Sequence, residues 1–488
     1  MGGSPRGMQP ETSRAAAKKS GAGERIRQPI APECSPAPRE SQIRPSLLYS
    51  PGARGYYGGV TERDRILRHL NGDFTEPIRD PLWKHIYLTP ALMEVVTSPP
   101  FRKLSGIKQL GTAHLVYPGA THTRFVHSLG VFHLAKRMIP PLLGPGNPFS
   151  VSLEGVKAFL CAALLHDVGH FPFTHSLKEL PLKNHETLTA ELILSPPLKE
   201  IIARQVGTDP GLAAAMVDEE MDDGGSREVL FFRRVLSGAL DPDKLDYLNR
   251  DAWFCGVPYG IQDTDFVIER IRSHPERGPA LDISGLPAVE NILFSKYLMY
   301  RSVYWHKTLR IATAMIKKAV HLGLTEGALA PEDLYGLDDE GFFRAVAARD
   351  FPPFGLVRRV ADRNLLKTAA AAPFDEERFG ALLDLNRREE TERRIAAEIS
   401  RTSGVPVRPE EVVIDIPEKI SFEIGLPLLE PGGGTREYDE AGSVFSPPVV
   451  RNFSRVLRVL RIALPPEAAA RSGGGDGLLA LLVETLRP

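Results

Sequence analysis

Phe159-Leu160-Cys161-Ala162-Ala163-Leu164-Leu165-His166-Asp167-Val168-Gly169-His170 is the stretch that decides the fold. Its opening is an apolar run in which Phe159, Leu160, Ala163 and Leu164 make the buried side of a helix, expected over 156–165. Such a helix carries the imidazole of His166 and the carboxylate of Asp167 into the interior. Burying both is costly unless something pairs with them. A bound cation is the natural partner, and it converts the liability into a catalytic centre.

Outward from this run, the periodicity is helical. Residues 123–138 form an amphipathic helix with Phe125, Leu129, Phe132, Leu134 and Met138 on its apolar side, ended by Pro140-Pro141. Residues 90–96 form a short helix with Thr89 as N-cap and Pro90 in its first position, stopped by Ser98-Pro99-Pro100. Order is expected to begin near Asp80. A helical piece is expected over 101–110 and an extended piece over 114–117. Further helices are expected over 185–194 and over 243–252 behind Pro242, with one or two long ones over 289–322. Beyond about residue 330, helical segments alternate with Pro-rich connections. There 412–424 alternates like a strand or hairpin, 453–464 reads as a helix, and a Gly-rich linker at 472–477 precedes a terminal helix. The expected fold class is therefore mainly α, with a helical core over 78–325 and a smaller α+β C-terminal region over 326–488. The role of that region is left open between an oligomerisation module, a lid and scaffold.

Composition narrows the function classes. The chain has 488 residues, 42% hydrophobic and 25% charged, with a formal net charge of -1. Those are the proportions of a globular protein with no global pull toward nucleic acid or membrane. Residues 1–55 are rich in Gly, Pro, Ser and basic side chains and are expected to be a disordered tail that leaves room for weak nucleic-acid contact. Cys34, Cys161 and Cys255 are too widely separated for a disulfide framework, which fits a reducing, cytoplasmic setting. No apolar run is long enough to span a bilayer, and no signal-peptide core opens the chain.

Four residues from three expected helices join the candidate centre: His127, the adjacent pair His166 and Asp167, and Asp243. Two imidazoles and two carboxylates without a thiolate make a mixed N/O site suited to a divalent Mn, Fe, Zn, Co, Ni or Mg ion, with positions left for water or substrate oxygen. Arg124 precedes His127 by about one helical turn and should face the same cleft. His170 stands four residues after His166 and shares its face if the helix continues that far; Pro172 breaks it, and His175, His185 and Glu186 follow. These offer proton donors and phosphate ligands, or orienting hydrogen-bond partners.

In order and spacing, His127…His166-Asp167…Asp243 resembles the H…HD…D signature of the HD-domain metal phosphohydrolases. The segments Ile107-Lys108-Gln109-Leu110-Gly111, Pro118 through Val131, His166 through His175, Asn184-His185-Glu186 and Asp243 through Asp251 resemble the dNTP triphosphohydrolase-like branch. The resemblance covers about residues 78–325. It implies an HD-domain helical core, the metal ligands named above, and hydrolysis of a dNTP to deoxynucleoside and triphosphate. It assigns His170, His175, His185 and Glu186 to phosphate contact and proton transfer, and Arg124, Lys244, Tyr247, Lys296 and Tyr304 to phosphate and pocket contacts. Gln109 and Asp251 match positions that hold the 3′-hydroxyl, and Leu110 one that crowds a 2′-hydroxyl. A nucleotide substrate and a homo-oligomeric assembly are expected with it. Two other readings stay open: an HD phosphohydrolase or phosphodiesterase on another nucleotide or phosphate ester, and a catalytically silent nucleotide sensor or nucleic-acid-binding protein.

The sequence also departs from the branch. Lys178 stands where an acidic residue supports the histidines, with Glu179 next as a candidate substitute. Asp80-Pro81-Leu82-Trp83-Lys84 replaces the common Asp-Pro-Ile-His-Gly entry motif. Thr97 and Ser105 replace an Asp and an Arg that read an activating guanine nucleotide, so activation of that type is not expected.

Overall fold

The apolar run of 159–165 forms the last turns of a buried helix, Leu153–Leu165, started by the Ser152 hydroxyl, which accepts from the Gly155 N–H. In a computed structural model of the chain, described over residues 60–144, 149–420 and 425–486, this helix lies at the centre of the main core. It packs on the His127 helix, Arg124–Leu142, and on Pro210–Val217. The expected tail over 1–55 lies outside the described residues. The described residues group as one unit.

The mainly α class holds, with strands confined to small sheets. β1 (Glu76–Asp80) and β2 (Lys84–Leu88) form a hairpin whose register sets Ile78 opposite Ile86. Its turn needs a left-handed residue, and Lys84 takes that conformation at φ 64° where the branch carries Gly. β3 (Ile271–His274) and β4 (Gly278–Asp282) join β7 (Pro427–Leu429) and β8 (Thr435–Glu437) in the order β3-β4-β7-β8. A third sheet has the order β5-β9-β6, from Lys367–Pro373, Val459–Leu464 and Val413–Asp415.

Several boundaries differ from expectation for identifiable reasons. Order begins before Asp80, because Thr61 and Asp64 form a capping box for a helix over Glu62–Gly72 that buries Ile66 and Leu70. The 101–110 piece breaks at Gly106, after which Lys108 bridges Thr123. Residues expected to be extended at 114–117 instead follow a 3-10 turn, Gly111–Leu115, that buries Thr112 and Ala113. The His127 helix runs through Pro140 and Pro141 to Leu142 before it stops. The long 289–322 pattern divides into Leu286–Met299 and Lys307–Thr325, with a π-helical turn at Tyr300–Tyr304 between them. The helix expected at 453–464 lies earlier, at Pro447–Leu457, and its apolar end becomes β9, the central strand between β5 and β6. Pairing on both sides overrides helical propensity there. Of the 412–424 alternation, Val413–Asp415 is β6, and 421–424 lie outside the described residues.

A second apolar cluster joins Phe171, Leu177 and Leu188, beside the HD turn, to Ile311, Met315 and Val357. A third fills the space between the β5-β9-β6 sheet and the helices Leu385–Ser403 and Gly475–Thr485. Among the described residues, no helix is long and apolar enough to cross a membrane.

Candidate metal centre and active-site cleft

The helix that delivers His166 ends at Leu165, and His166 to Gly169 make a turn rather than a further helical turn. His170 is therefore not on a shared helical face with His166, as a continuing helix would require. The Lys103 ammonium fastens the turn by donating to the carbonyls of Val168 at 3.0 Å and His170 at 2.8 Å. Gly169 is needed because a Cβ there would strike the His185 carbonyl and the Thr189 backbone.

The four expected ligands converge. His127 Nε2 lies 2.9 Å from Asp243 Oδ1 and 3.9 Å from Asp167 Oδ2. His166 Nε2 lies 3.5 Å from Asp167 Oδ1 and 4.0 Å from Asp243 Oδ1. The ligand atoms of His127, His166 and Asp243 fall within 4.8 Å of one another. His166 Nδ1 faces the Ala163 carbonyl at 3.0 Å, while its buried Nε2 has no hydrogen-bond partner. An imidazole fixed on one nitrogen and orphaned on the other, beside two carboxylates, fits a divalent cation.

A layer behind the ligands was invisible as chemistry in the sequence. Asp246, fully buried, pairs its Oδ2 with His127 Nδ1 at 2.8 Å and accepts from Arg250 Nε at 2.8 Å. Its other oxygen accepts from Arg250 Nη2 and from Trp83 Nε1. Asp80 accepts from Arg250 Nη1 at 2.8 Å. The altered entry motif thus keeps its Asp and lends Trp83 to the same network. Burial opposes a charge on His127, yet Asp243 and Asp246 on its two nitrogens raise its pKa to about 10. Burial likewise opposes the Asp167 carboxylate, but Arg124, at 2.5 Å, and the neighbouring imidazoles hold it well below the usual range.

The histidine trio forms beside the centre. His170 and His185 stack with centroids 4.0 Å apart and planes at 22°, and His175 stands edge-on to His170 at 4.7 Å. One ring nitrogen of each imidazole lies within 4.8 Å of the others, a spacing that can relay a proton or hold an ion. Burial and the Arg124 charge push His170 well below the ordinary imidazole value, which keeps it neutral. His170 Nε2 lies 2.9 Å from Asp167 Oδ1.

The candidate ligands, Arg124, His175 and His185 share a cleft of about 560 Å³ with Gln109, Leu110, Tyr247, Asp251, Lys296 and Tyr304. Asp251 is clamped between His122 Nε2 at 2.8 Å and the Tyr304 hydroxyl, which donates to it at 2.7 Å. His122 was not singled out in the sequence. Gln109 Oε1 is buried there without a partner. Three expected residues do not line the cleft: His170, which is buried behind His175 and His185, Lys244 and Glu186. Lys244 folds back to donate to Asp241 Oδ2 and the Gly238 carbonyl at 2.9 Å, because its helix places it beside the N-cap rather than beside Asp243. Glu186 sits outside the lining, with Oε2 2.9 Å from His185 Nδ1.

Glu179 does not replace the missing acid of the branch. Its carboxylate is 3.1 Å from Lys317 and 3.3 Å from Arg388, away from the histidines. Thr97 and Ser105 spend their hydroxyls on backbone carbonyls of their own segments.

Comparison with known proteins places this geometry. The HD domain family matches residues 124–216, and the HD associated region matches residues 263–444. The uncharacterized protein YwfO of Bacillus subtilis is 33% identical over 258 residues, 52% of this chain and 58% of that one. The human deoxynucleoside triphosphate triphosphohydrolase SAMHD1 is 30% identical over 241 residues, 42% of this chain and 38% of that one. The chain thus spans less than two thirds of the length of these curated relatives. A crystal structure of a hypothetical protein from Aquifex aeolicus superposes with a TM-score of 0.65 at 27% identity, covering 83% of this chain and 99% of that one. His127, His166 and Asp167 fall inside the HD domain match, and Asp243 falls between the two matched regions. With an HD domain followed by an HD associated region, and with relatives in the dNTP triphosphohydrolase-like branch, the chain belongs to the HD-domain phosphohydrolase superfamily.

Proposed function

We propose that the protein is a metal-dependent nucleotide phosphohydrolase that converts a dNTP to deoxynucleoside and triphosphate. The observation that carries this reading is the meeting, in one cleft, of a two-imidazole, two-carboxylate centre, the imidazoles of His175 and His185 and the Asp251–Tyr304 clamp. The related SAMHD1 proteins bear the name of that activity.

His127, His166, Asp167 and Asp243 hold the divalent ion, which supplies a Lewis acid for a phosphoryl oxygen when bound. Arg124 fixes Asp167 and offsets phosphate charge, and Lys296 supplies a second cation across the cleft. Asp251 and Gln109 hold the 3′-hydroxyl, and Leu110 crowds the 2′ position. Water attacks the α-phosphorus and gives up a proton to a neutral imidazole of the trio, the bond from phosphorus to the 5′ oxygen breaks, and the trio passes that proton to the leaving oxygen.

The test is a product screen of dNTPs, NTPs and cyclic nucleotides with Mn, Mg, Fe and Co, beside His166→Ala and Asp167→Ala. Inorganic triphosphate from dNTPs, lost in both variants, is expected. Orthophosphate or a linear dinucleotide as product overturns the substrate reading, and activity surviving both substitutions overturns the site.

A further inference from the structure

The cleft has a second cationic wall that the proposed chemistry does not use. It is built from the segment after the HD turn, from the helix Lys307–Thr325, and from the residues following β6: Lys178, Arg310 and Lys419 all line the cleft. Asp415 grips Arg310 from behind, with Arg310 Nη2 donating to Oδ1 at 2.5 Å and Nε to Oδ2 at 3.1 Å. That leaves Arg310 Nη1 without a hydrogen bond among the described residues, on a guanidinium already fixed in place. Arg461 also approaches Asp415, at 3.6 Å, so this carboxylate is fully engaged.

The other acids nearby neutralise the wall only in part. Glu179 is turned away onto Lys317 and Arg388. Glu418 lines the cleft with Arg310 and Lys178 and offsets one of the three cations. Lys178 and Lys419 form no hydrogen bond or ion pair among the described residues. Lys317 behind the wall has its pKa lowered, first by burial, against the pull of Glu179 and with the push of Arg388 and Arg310. Cations outnumber carboxylates here, and fixed N–H donors in a concave wall are the means by which proteins hold phosphate.

We propose that Lys178, Arg310 and Lys419 form a second anion subsite, distinct from the metal ligands, that takes a phosphate group. The subsite depends on the cleft and not on the dNTP reading, so either can fail alone. Its ligand is a phosphate of the bound substrate itself or a separate phosphate ion.

Calorimetric titration of the full chain in EDTA with orthophosphate, and separately with tripolyphosphate, tests it without turnover. Lys178→Gln/Lys419→Gln removes exposed lysines and is expected to weaken phosphate binding about tenfold. Arg124→Gln/Lys296→Gln is expected to leave orthophosphate binding at this wall in place. If binding follows Arg124 and Lys296 alone and is unchanged in the lysine pair, the subsite is overturned. Arg310→Gln is read only at an unchanged melting temperature, and the lysine pair keeps the test decisive if that variant unfolds. A non-hydrolysable dNTP that excludes orthophosphate assigns the wall to the substrate's own phosphate; simultaneous binding assigns it to a separate ion.

Discussion

His127 Nδ1 is held 2.8 Å from Asp246 Oδ2, on the side of the ring opposite the candidate metal centre. That contact directs Nε2 toward Asp243 and Asp167 and makes Asp246 a positioning residue rather than a ligand. Asp246→Asn keeps the shape and removes the charge. It is expected to lower metal affinity about 10- to 100-fold, measured by metal titration of chelated protein. It also leaves Arg250 short of one buried carboxylate, a loss of about 3 kcal/mol in denaturant unfolding. Unchanged metal affinity would remove Asp246 from the centre.

Gly130 lies against this network from the His127 helix. A Cβ there would strike the Asp246 carboxylate and the Arg250 guanidinium. Gly130→Ala gains helix propensity of about 1 kcal/mol on an unobstructed helix. Here it is expected to destabilise instead and to weaken metal binding in parallel with Asp246→Asn. A melting temperature at or above that of the parent would show that the network can yield.

Glu179 anchors Lys317 and Arg388 rather than the histidines. Glu179→Gln is expected to cost about 2–4 kcal/mol of stability, since it strips two buried cations of their shared partner. The pH profile of hydrolysis should keep its shape. A shifted profile with intact stability would return Glu179 to the proton relay.

His133 stacks on Trp83 at 6.0 Å, and burial, followed by the Arg137 and Lys136 charges, lowers its pKa to about 4. The unfolded chain takes up this proton near pH 6.5 and the folded chain does not. Stability is therefore intact above about pH 6.5 and declines as pH falls toward 4, by ~2–3 kcal/mol from this group. His133→Phe keeps the ring and should flatten the stability curve across that window in urea titrations. A parallel curve would show that other groups set the acid limb.

The convergence of the candidate ligands was legible because their residue types and order are specific, and the helices that carry them have apolar faces of the right period. What lay behind them was not. Asp246 and Arg250 stand four apart on a helix, a spacing that in sequence reads as an exposed ion pair, and only tertiary packing makes both fully buried. Lys244 adjoins a candidate ligand in sequence, but neighbouring helical residues point in different directions, and its amine turns back to donate to the N-cap Asp241 and the Gly238 carbonyl. Residues 459–464 have apolar content that suits helix or strand, and the choice falls to β5 and β6, far away in sequence. The cleft wall from Glu418 to Ile420 depends on where β6 lands, which no local pattern records.

Asp243 sits in the gap between the two regions that family comparison delimits. A fragment trimmed at residue 216 would still be recognised as an HD domain, yet it would lack one proposed ligand, Asp246 and the helix that brings both to His127. Dissecting this protein along its recognisable boundaries therefore cuts through the centre itself, and the smallest piece with a complete metal site must cross that boundary.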